Sequence, residues 1–185
     1  MHDMTAANLR SAFGGESMAH MRYKIWSNLA DKEGFPNVAR LFRAVSRAEQ
    51  AHATGHFKAM QNEAGAFNVL AGGGFGYSNT SDALAGAIEG EEFEIHEMYP
   101  AYLAVAEAQD EKSAIRSMNY AISAEKIHAA MYTEAKQAVD EGSDYPVGTI
   151  QICTVCGHTL LGDEAPEHCP ICNAKRERYE AFAAQ

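Results

Sequence analysis

The chain has 185 residues, 46% hydrophobic and 22% charged, which suits a soluble protein with one good core and a small appendage. Acidic residues outnumber basic ones 25 to 15, and the formal net charge of −10 argues against nucleic acid or an anionic membrane as a partner. No apolar run approaches the roughly 18 residues of a membrane span. Met1-His2-Asp3-Met4 lacks the basic and apolar regions of a signal peptide, so a cytoplasmic location is expected.

Residues 5–33 carry Ala, Leu, Met, Arg and Glu at helical spacing, and Gly34 is a natural stop. Phe35-Pro36-Asn37 reads as a tight turn, with Pro36 suited to the first turn of a second helix over about 37–64. Residues 65–80 break helix, with Ala71-Gly72-Gly73-Gly74-Phe75-Gly76 at their centre. Ser81 and Asp82 can start a third helix reaching about residue 109, and Asp110 can cap a fourth that ends near Gly142. A helix of 28 residues is about 42 Å long. Sixteen extended residues reach about 53 Å. The segment 65–80 can therefore cross the whole bundle, which makes helices 2 and 3 parallel, as in ferritin-like four-helix bundles.

All four cysteines lie in the tail, as Cys153-Thr-Val-Cys156-Gly157 and Cys169-Pro170-Ile-Cys172. Four thiolates at this spacing can close a tetrahedron around one ion. So short a segment builds little core, and the ion itself is expected to stabilise the fold. Spacing alone does not separate structural zinc from redox iron. The organisation is a helical domain over 1–142, a linker over 143–149 and a metal knuckle over 150–185.

Two Glu-x-x-His motifs, Glu49-Gln-Ala-His52 and Glu125-Lys-Ile-His128, fall in the second and fourth helices. Each puts a carboxylate and an imidazole on one helix face. Glu94 precedes the turn at Asp110 by about as many residues as Glu125 follows it, and Glu16 stands in the same relation to Glu49 and His52 across Phe35. All of them meet near mid-bundle. This is a hard-ligand set sufficient for two metal ions. A shift of 76 residues carries Glu49 to Glu125, His52 to His128, Tyr23 to Tyr99 and His20 to His96, so the bundle reads as two related helix hairpins. The same shift carries Glu16 to Glu92, within the acidic run Glu91-Glu92-Phe93-Glu94. Tyr23 and Tyr99 can donate to ligand carboxylates or simply pack the core. His20, His56 and His96 read as packing or surface residues, with His56 one turn from His52 also able to support the site.

With these motifs in this order, the chain resembles rubrerythrins over essentially its whole length. Gly15-Glu16-Ser17 with Tyr23, Glu49-x-x-His52, Gly90-Glu91-x-x-Glu94 with Met98-Tyr99-Pro100, and Glu125-x-x-His128 carry the resemblance in the helices. Cys153-x-x-Cys156-Gly157, Gly162, Ala165-Pro166-Glu167 and Cys169-Pro170-x-Cys172 carry it in the tail, which resembles a rubredoxin-like domain. The resemblance implies a di-iron site held by Glu16, Glu49, Glu91, Glu94, Glu125 and His128, with Glu49 and Glu125 bridging and His52 alternating with Glu94. It thus selects Glu91 where the 76-residue shift selects Glu92, and a one-residue insertion in the second half reconciles the two. It implies Tyr23 and Tyr99 as supporting groups, Glu94 as a proton carrier, and one iron held by Cys153, Cys156, Cys169 and Cys172. It further implies reduction of hydrogen peroxide to water as a defence against oxidative stress. Electrons would come from NADH through a separate reductase or a rubredoxin. The protein would be a homodimer in which one subunit's tail centre approaches the other's di-iron site. The rival readings are a ferroxidase or iron-storage protein, and a metal-binding protein whose tail is a structural zinc knuckle.

Overall fold

The computed structural model describes residues 1–60 and 62–183. Gln61, which falls in the expected second helix, and Ala184 and Gln185, at the expected end of the tail domain, lie outside the described residues. Helix α1 spans Asp3–Glu33 and α2 spans Pro36–Ala59. The third rod of the bundle is α3, Thr80–Phe93, continued by a π-helical turn at Glu94–Met98 and by α4, Tyr99–Ala108. Helix α5 spans Lys112–Asp140. The tail forms an antiparallel sheet in the order β2-β1-β3, with β1 at Ile150–Cys153, β2 at Thr159–Leu161 and β3 at Tyr179–Phe182. This is the expected ferritin-like bundle with a small metal-knuckle domain. Among the described residues no helix is long and apolar enough to cross a membrane.

The helix ends show how local chemistry sets the bundle. Gly34 takes the left-handed conformation at φ 87°, and the Gly34 and Phe35 amides return to the Asp31 and Ala30 carbonyls. Pro36 then opens α2, as expected. No side chain next to that turn caps α2. The Asp144 carboxylate does so from across the chain, accepting from the Asn37 and Val38 amides at 2.8 and 3.2 Å. Asn79, rather than Ser81 or Asp82, caps α3 by accepting from the Asp82 amide. Asp110 does not cap α5. It sits in the turn at φ 52°, and Glu111 holds the cap position without a side-chain bond. Helix α2 ends at Ala59, earlier than the expected residue 64.

One core cluster packs Trp26, Phe42, Leu41, Leu84 and Tyr132 between the helices and extends through Tyr145 and Val147 to Ile150 and Ile152 of the sheet. Residues 143–149 are therefore pinned to the bundle. Arg40 donates to the Val147 carbonyl and Tyr145 to Glu134. The knuckle is held against α2 and α5 by the same apolar continuity, with Arg47 paired to Glu180 at its edge.

Residues 65–79 run as a strap along α1 and α3. The Ser11 hydroxyl donates to the Leu70 carbonyl, Tyr77 meets Trp26 edge-on at 5.3 Å, and the Thr80 amide donates to Glu33 at 2.7 Å. Contacts thus progress from the first third of α1 to its last turn, so α2 and α3 are parallel. Gly14 and Gly86 let the strap approach: a β-carbon would lie 2.5 Å from Val69 Cγ1 at the first and 2.6 Å from the Tyr77 ring at the second. Replacing Gly14→Leu is expected to lift Val69 off α1 while leaving the helices intact. Limited proteolysis within 65–78 accelerates several-fold on this account, and helical content by circular dichroism is unchanged.

Candidate metal centre

Each helix of the bundle sends side chains to one buried point. Glu16 comes from α1, Glu49 and His52 from α2, Glu91 from α3, and Glu125 and His128 from α5, and all are at most 3% exposed. Their donor atoms form two overlapping sets. Glu16, Glu49, His52 and Glu125 make one, and Glu49, Glu91, Glu125 and His128 make the other, with the atoms of each set within 4.8 Å of one another. Glu49 and Glu125 belong to both. Glu94 belongs to neither. It is partly exposed on the π-helical turn. Glu92 points outward and pairs with His96 at 2.9 Å, half exposed.

The π-helical turn resolves the offset in the repeat. Up to Glu91 the two halves match at a shift of 75 residues, carrying Gly15-Glu16 onto Gly90-Glu91. From Met98 onward they match at 76, carrying Arg22-Tyr23 onto Met98-Tyr99. One extra residue is absorbed at Glu94–Met98, as π-helical turns do. Glu94 opens that turn.

The electrostatics describe a site short of positive charge. Burial, reinforced by neighbouring carboxylates, holds the Glu49, Glu91 and Glu94 carboxyls well above the usual range, and burial also raises Glu125. Burial alone would raise Glu16 too, but the adjacent His52 pulls it well below. Burial opposes charge on His52, yet Glu125 and Glu16 override it and raise its pKa well above the ordinary value. Burial pushes His128 down to about 4. The carboxylates thus favour positive charge at the middle of the cluster, a demand that metal cations would meet. Glu16 Oε2, Glu49 Oε1 and Glu125 Oε1 are buried without an aligned hydrogen bond, with only an imidazole Nδ1 near each, at 3.6, 3.7 and 2.7 Å. Orphaned acceptors of this kind fit cations bound between them.

Both imidazoles turn Nδ1 inward. His52 Nδ1 is 2.7 Å from Glu125 and 3.0 Å from Glu49, and His128 Nδ1 is 2.7 Å from Glu125. Both turn Nε2 outward to the knuckle. His52 donates to the Cys156 carbonyl at 3.1 Å and His128 to the Thr159 hydroxyl at 2.8 Å. Gly157, at φ 77°, lies against His52 so closely that a β-carbon would stand 2.0 Å from Nε2. These outer partners fix the tautomer that leaves Nδ1 free for a metal. In the knuckle the four sulfurs lie within 4.8 Å, with Cys153–Cys172 at 3.6 Å and Cys156–Cys169 at 3.5 Å. Bonds of about 2.3 Å to a central ion require tetrahedral edges of about 3.8 Å, so the donors suit one ion.

The two tyrosines cross-brace the site. Tyr23 on α1 donates to Glu91 on α3 at 2.7 Å, and Tyr99 on the third rod donates to Glu16 on α1. Burial raises both phenol pKa values far enough to keep them donors. His56, read from sequence as a packing or surface residue also able to support the site, donates from Nε2 to Tyr99 at 2.8 Å and accepts from Ser117 on Nδ1. Tyr132 passed unnoticed in the sequence. It is fully buried, its ring is 5.4 Å from that of Tyr23, and its hydroxyl has no partner. The shift of 76 carries His56 onto Tyr132, so the repeat held the signal. His20 bonds the Ser46 carbonyl, away from the centre. We expect Glu91→Ala to drop the bundle's ferrous content below two ions per chain and Glu92→Ala to leave it unchanged, measured by metal analysis after anaerobic loading.

Comparison with known proteins agrees with this geometry. The family model for Rubrerythrin matches residues 7–136, and that for the rubrerythrin rubredoxin-like domain matches 151–180. Rubrerythrin-2 of Clostridium acetobutylicum is 48% identical over 97% of both chains. Nigerythrin of Nitratidesulfovibrio vulgaris is 30% identical over 96% of this chain and 86% of its own. The structure of fully reduced, all-ferrous nigerythrin superposes with a TM-score of 0.83 at 26% identity, covering 98% of this chain and 88% of that one. The bacterioferritin BfrA of Mycobacterium tuberculosis shares the fold at a TM-score of 0.68 and 15% identity, over 77% of this chain and 90% of its own. The two matched families, the carboxylate–histidine cluster and the four cysteines converge: the chain belongs to the rubrerythrin family, with a di-iron site in its bundle and a rubredoxin-type iron site in its tail.

Proposed function

We propose that the protein is a non-haem peroxidase that reduces hydrogen peroxide to water in defence against oxidative stress, using electrons delivered through its own tail centre. The observation that carries this reading is the direct seating of the four-cysteine knuckle on both histidines of the carboxylate centre. An iron store has no use for a built-in one-electron donor in contact with its metal ligands.

Bound ferrous ions would supply the two electrons that cleavage of the O–O bond consumes, H2O2 + 2e⁻ + 2H⁺ giving two waters. The residues do the rest. Glu49 and Glu125, common to both donor sets, would bridge the two ions and fix their separation. Glu16, held by Tyr99, and Glu91, held by Tyr23, would be terminal ligands on opposite sides. His128 would be a standing ligand through Nδ1. His52 and Glu94 would alternate at one position; His52 belongs to one of the two donor sets, and the Glu94 carboxyl is raised by burial and by the neighbouring Glu16, Glu125 and Glu91. Glu94, partly exposed, can then carry a proton to the departing oxygen. Cys153, Cys156, Cys169 and Cys172 would hold the single iron, and the Cys156 carbonyl to His52 contact offers a short path between centres within one chain. The upstream source would be NADH acting through a separate reductase or a rubredoxin. All four cysteines are free, which accords with the cytoplasm. Exposed Met21 and Ile25, one turn apart on α1, accord with a homodimer.

The test is anaerobic reduction of the iron-loaded protein followed by mixing with peroxide or dioxygen. The reading expects rapid reoxidation by peroxide with two electrons consumed per molecule. Rapid reaction with dioxygen and a sluggish one with peroxide would instead indicate a ferroxidase or iron-storage protein. For the path between centres, Gly157→Ala is expected to separate the knuckle from His52. Both iron sites would then fill normally, while electron transfer from the tail iron to the bundle slows by about an order of magnitude or more in stopped-flow absorbance.

A further inference from the structure

The knuckle covers the α2 and α5 side of the centre, where both histidines lie. The opposite side, between α1 and α3, lies under the strap, and there a cleft of about 600 Å³ opens. Its lining includes Gly15, Arg22, Gly90, Glu94 and Met98. Two of these glycines adjoin the carboxylate centre directly, Gly15 next to Glu16 and Gly90 next to Glu91. A β-carbon at either would meet nothing within 4 Å, so neither glycine is required by close packing. Both are absences that keep the floor of the cleft open. They are also equivalent under the internal repeat, as are Arg22 and Met98 on its walls. Glu94, the group that belongs to neither donor set, lines the same cleft.

Arg22 is the unusual wall residue. Its Nε and Nη1 are buried without a hydrogen-bond partner, and its guanidinium lies 5.8 Å from the Trp26 ring. The strap passes directly over it, since a β-carbon on Gly73 would come 3.0 Å from Nη1. Donors left unpaired beside an open cleft suit a small polar or anionic guest. A guanidinium also disfavours passage of free metal cations. Resting on the peroxidase reading, we propose that this cleft is the route by which peroxide reaches the centre, that Gly15 and Gly90 keep it open, and that Arg22 is a guest-binding residue along it. Oxidant then enters on the face opposite to the one that supplies electrons.

The test uses the full-length, iron-loaded chain with Gly90→Leu, Gly15→Leu and Arg22→Gln. Lys58→Gln, in a groove on the knuckle side, is the control. Two readouts are taken: reoxidation of the reduced bundle irons by peroxide, and the rate and affinity of azide binding to the oxidised protein followed by absorbance. Both leucine variants should retain full iron content, slow peroxide reoxidation, and slow azide entry by about tenfold or more. Arg22→Gln should weaken azide by about tenfold, the effect of one lost charge-assisted hydrogen bond. The control should match the unsubstituted chain. Unchanged azide and peroxide rates in an iron-replete leucine variant would overturn the route. If the unsubstituted chain ignores peroxide but the leucine variants still exclude azide, the route stands and the peroxidase reading falls.

Discussion

Removing a carboxylate from water costs several kcal/mol unless a cation or hydrogen bonds replace the lost hydration. The middle of this bundle removes four at once, Glu16, Glu49, Glu91 and Glu125, each at most 2% exposed. The tyrosine braces satisfy one oxygen each of Glu16 and Glu91, and Glu16 Oε2 and Glu49 Oε1 remain without a hydrogen bond. Burial and mutual repulsion push the Glu49 carboxyl well above its usual range, while the carboxylates around His52 favour its charged form. Two divalent cations would meet that demand for positive charge. The all-around burial of these groups therefore commits the bundle to metal.

Much of the surrounding architecture follows from keeping that centre both enclosed and reachable. The repeat builds it from two hairpins, each giving a Glu-x-x-His pair and a lone carboxylate with a tyrosine. The π-helical turn then breaks the symmetry at the point where Glu94 appears. The two faces also diverge. On one, His52 and His128 extend Nε2 into the knuckle backbone, and Gly157 brings that backbone into contact. On the other, glycine-bearing turns of α1 and α3 lie under a thin strap. The proposed electron path and the proposed peroxide route thus meet one buried centre from different surfaces.

The parts legible in the sequence were those with short-range spelling. The two Glu-x-x-His motifs, the paired Cys-x-x-Cys motifs and the Gly34-Phe35-Pro36 helix break each depend on spacing within one element, and each forms as expected. The parallel setting of α2 and α3 followed from chain reach alone. What the sequence hid were contacts that depend on side-chain direction between distant elements. Asp144 caps α2 from more than 100 residues away. His56 and Tyr132 occupy equivalent places and look like ordinary core residues until the tyrosine braces are seen. Glu91 and Glu92 are adjacent in sequence, and only the π-helical turn explains why the first faces inward although the uncorrected repeat points to the second. The seating of the knuckle on His52 and His128 lay equally beyond spacing.

The central claim is that two ions share Glu49 and Glu125 in one buried site, wired to a third, separate iron. Mössbauer spectroscopy of the fully iron-loaded, oxidised chain tests it most directly. The account predicts two spectral components in a two-to-one ratio: a spin-coupled, diamagnetic pair of ferric ions in oxygen and nitrogen coordination, and one high-spin ferric ion in a tetrathiolate site. Magnetically isolated ions in the bundle, or a single bundle iron per chain, would contradict it.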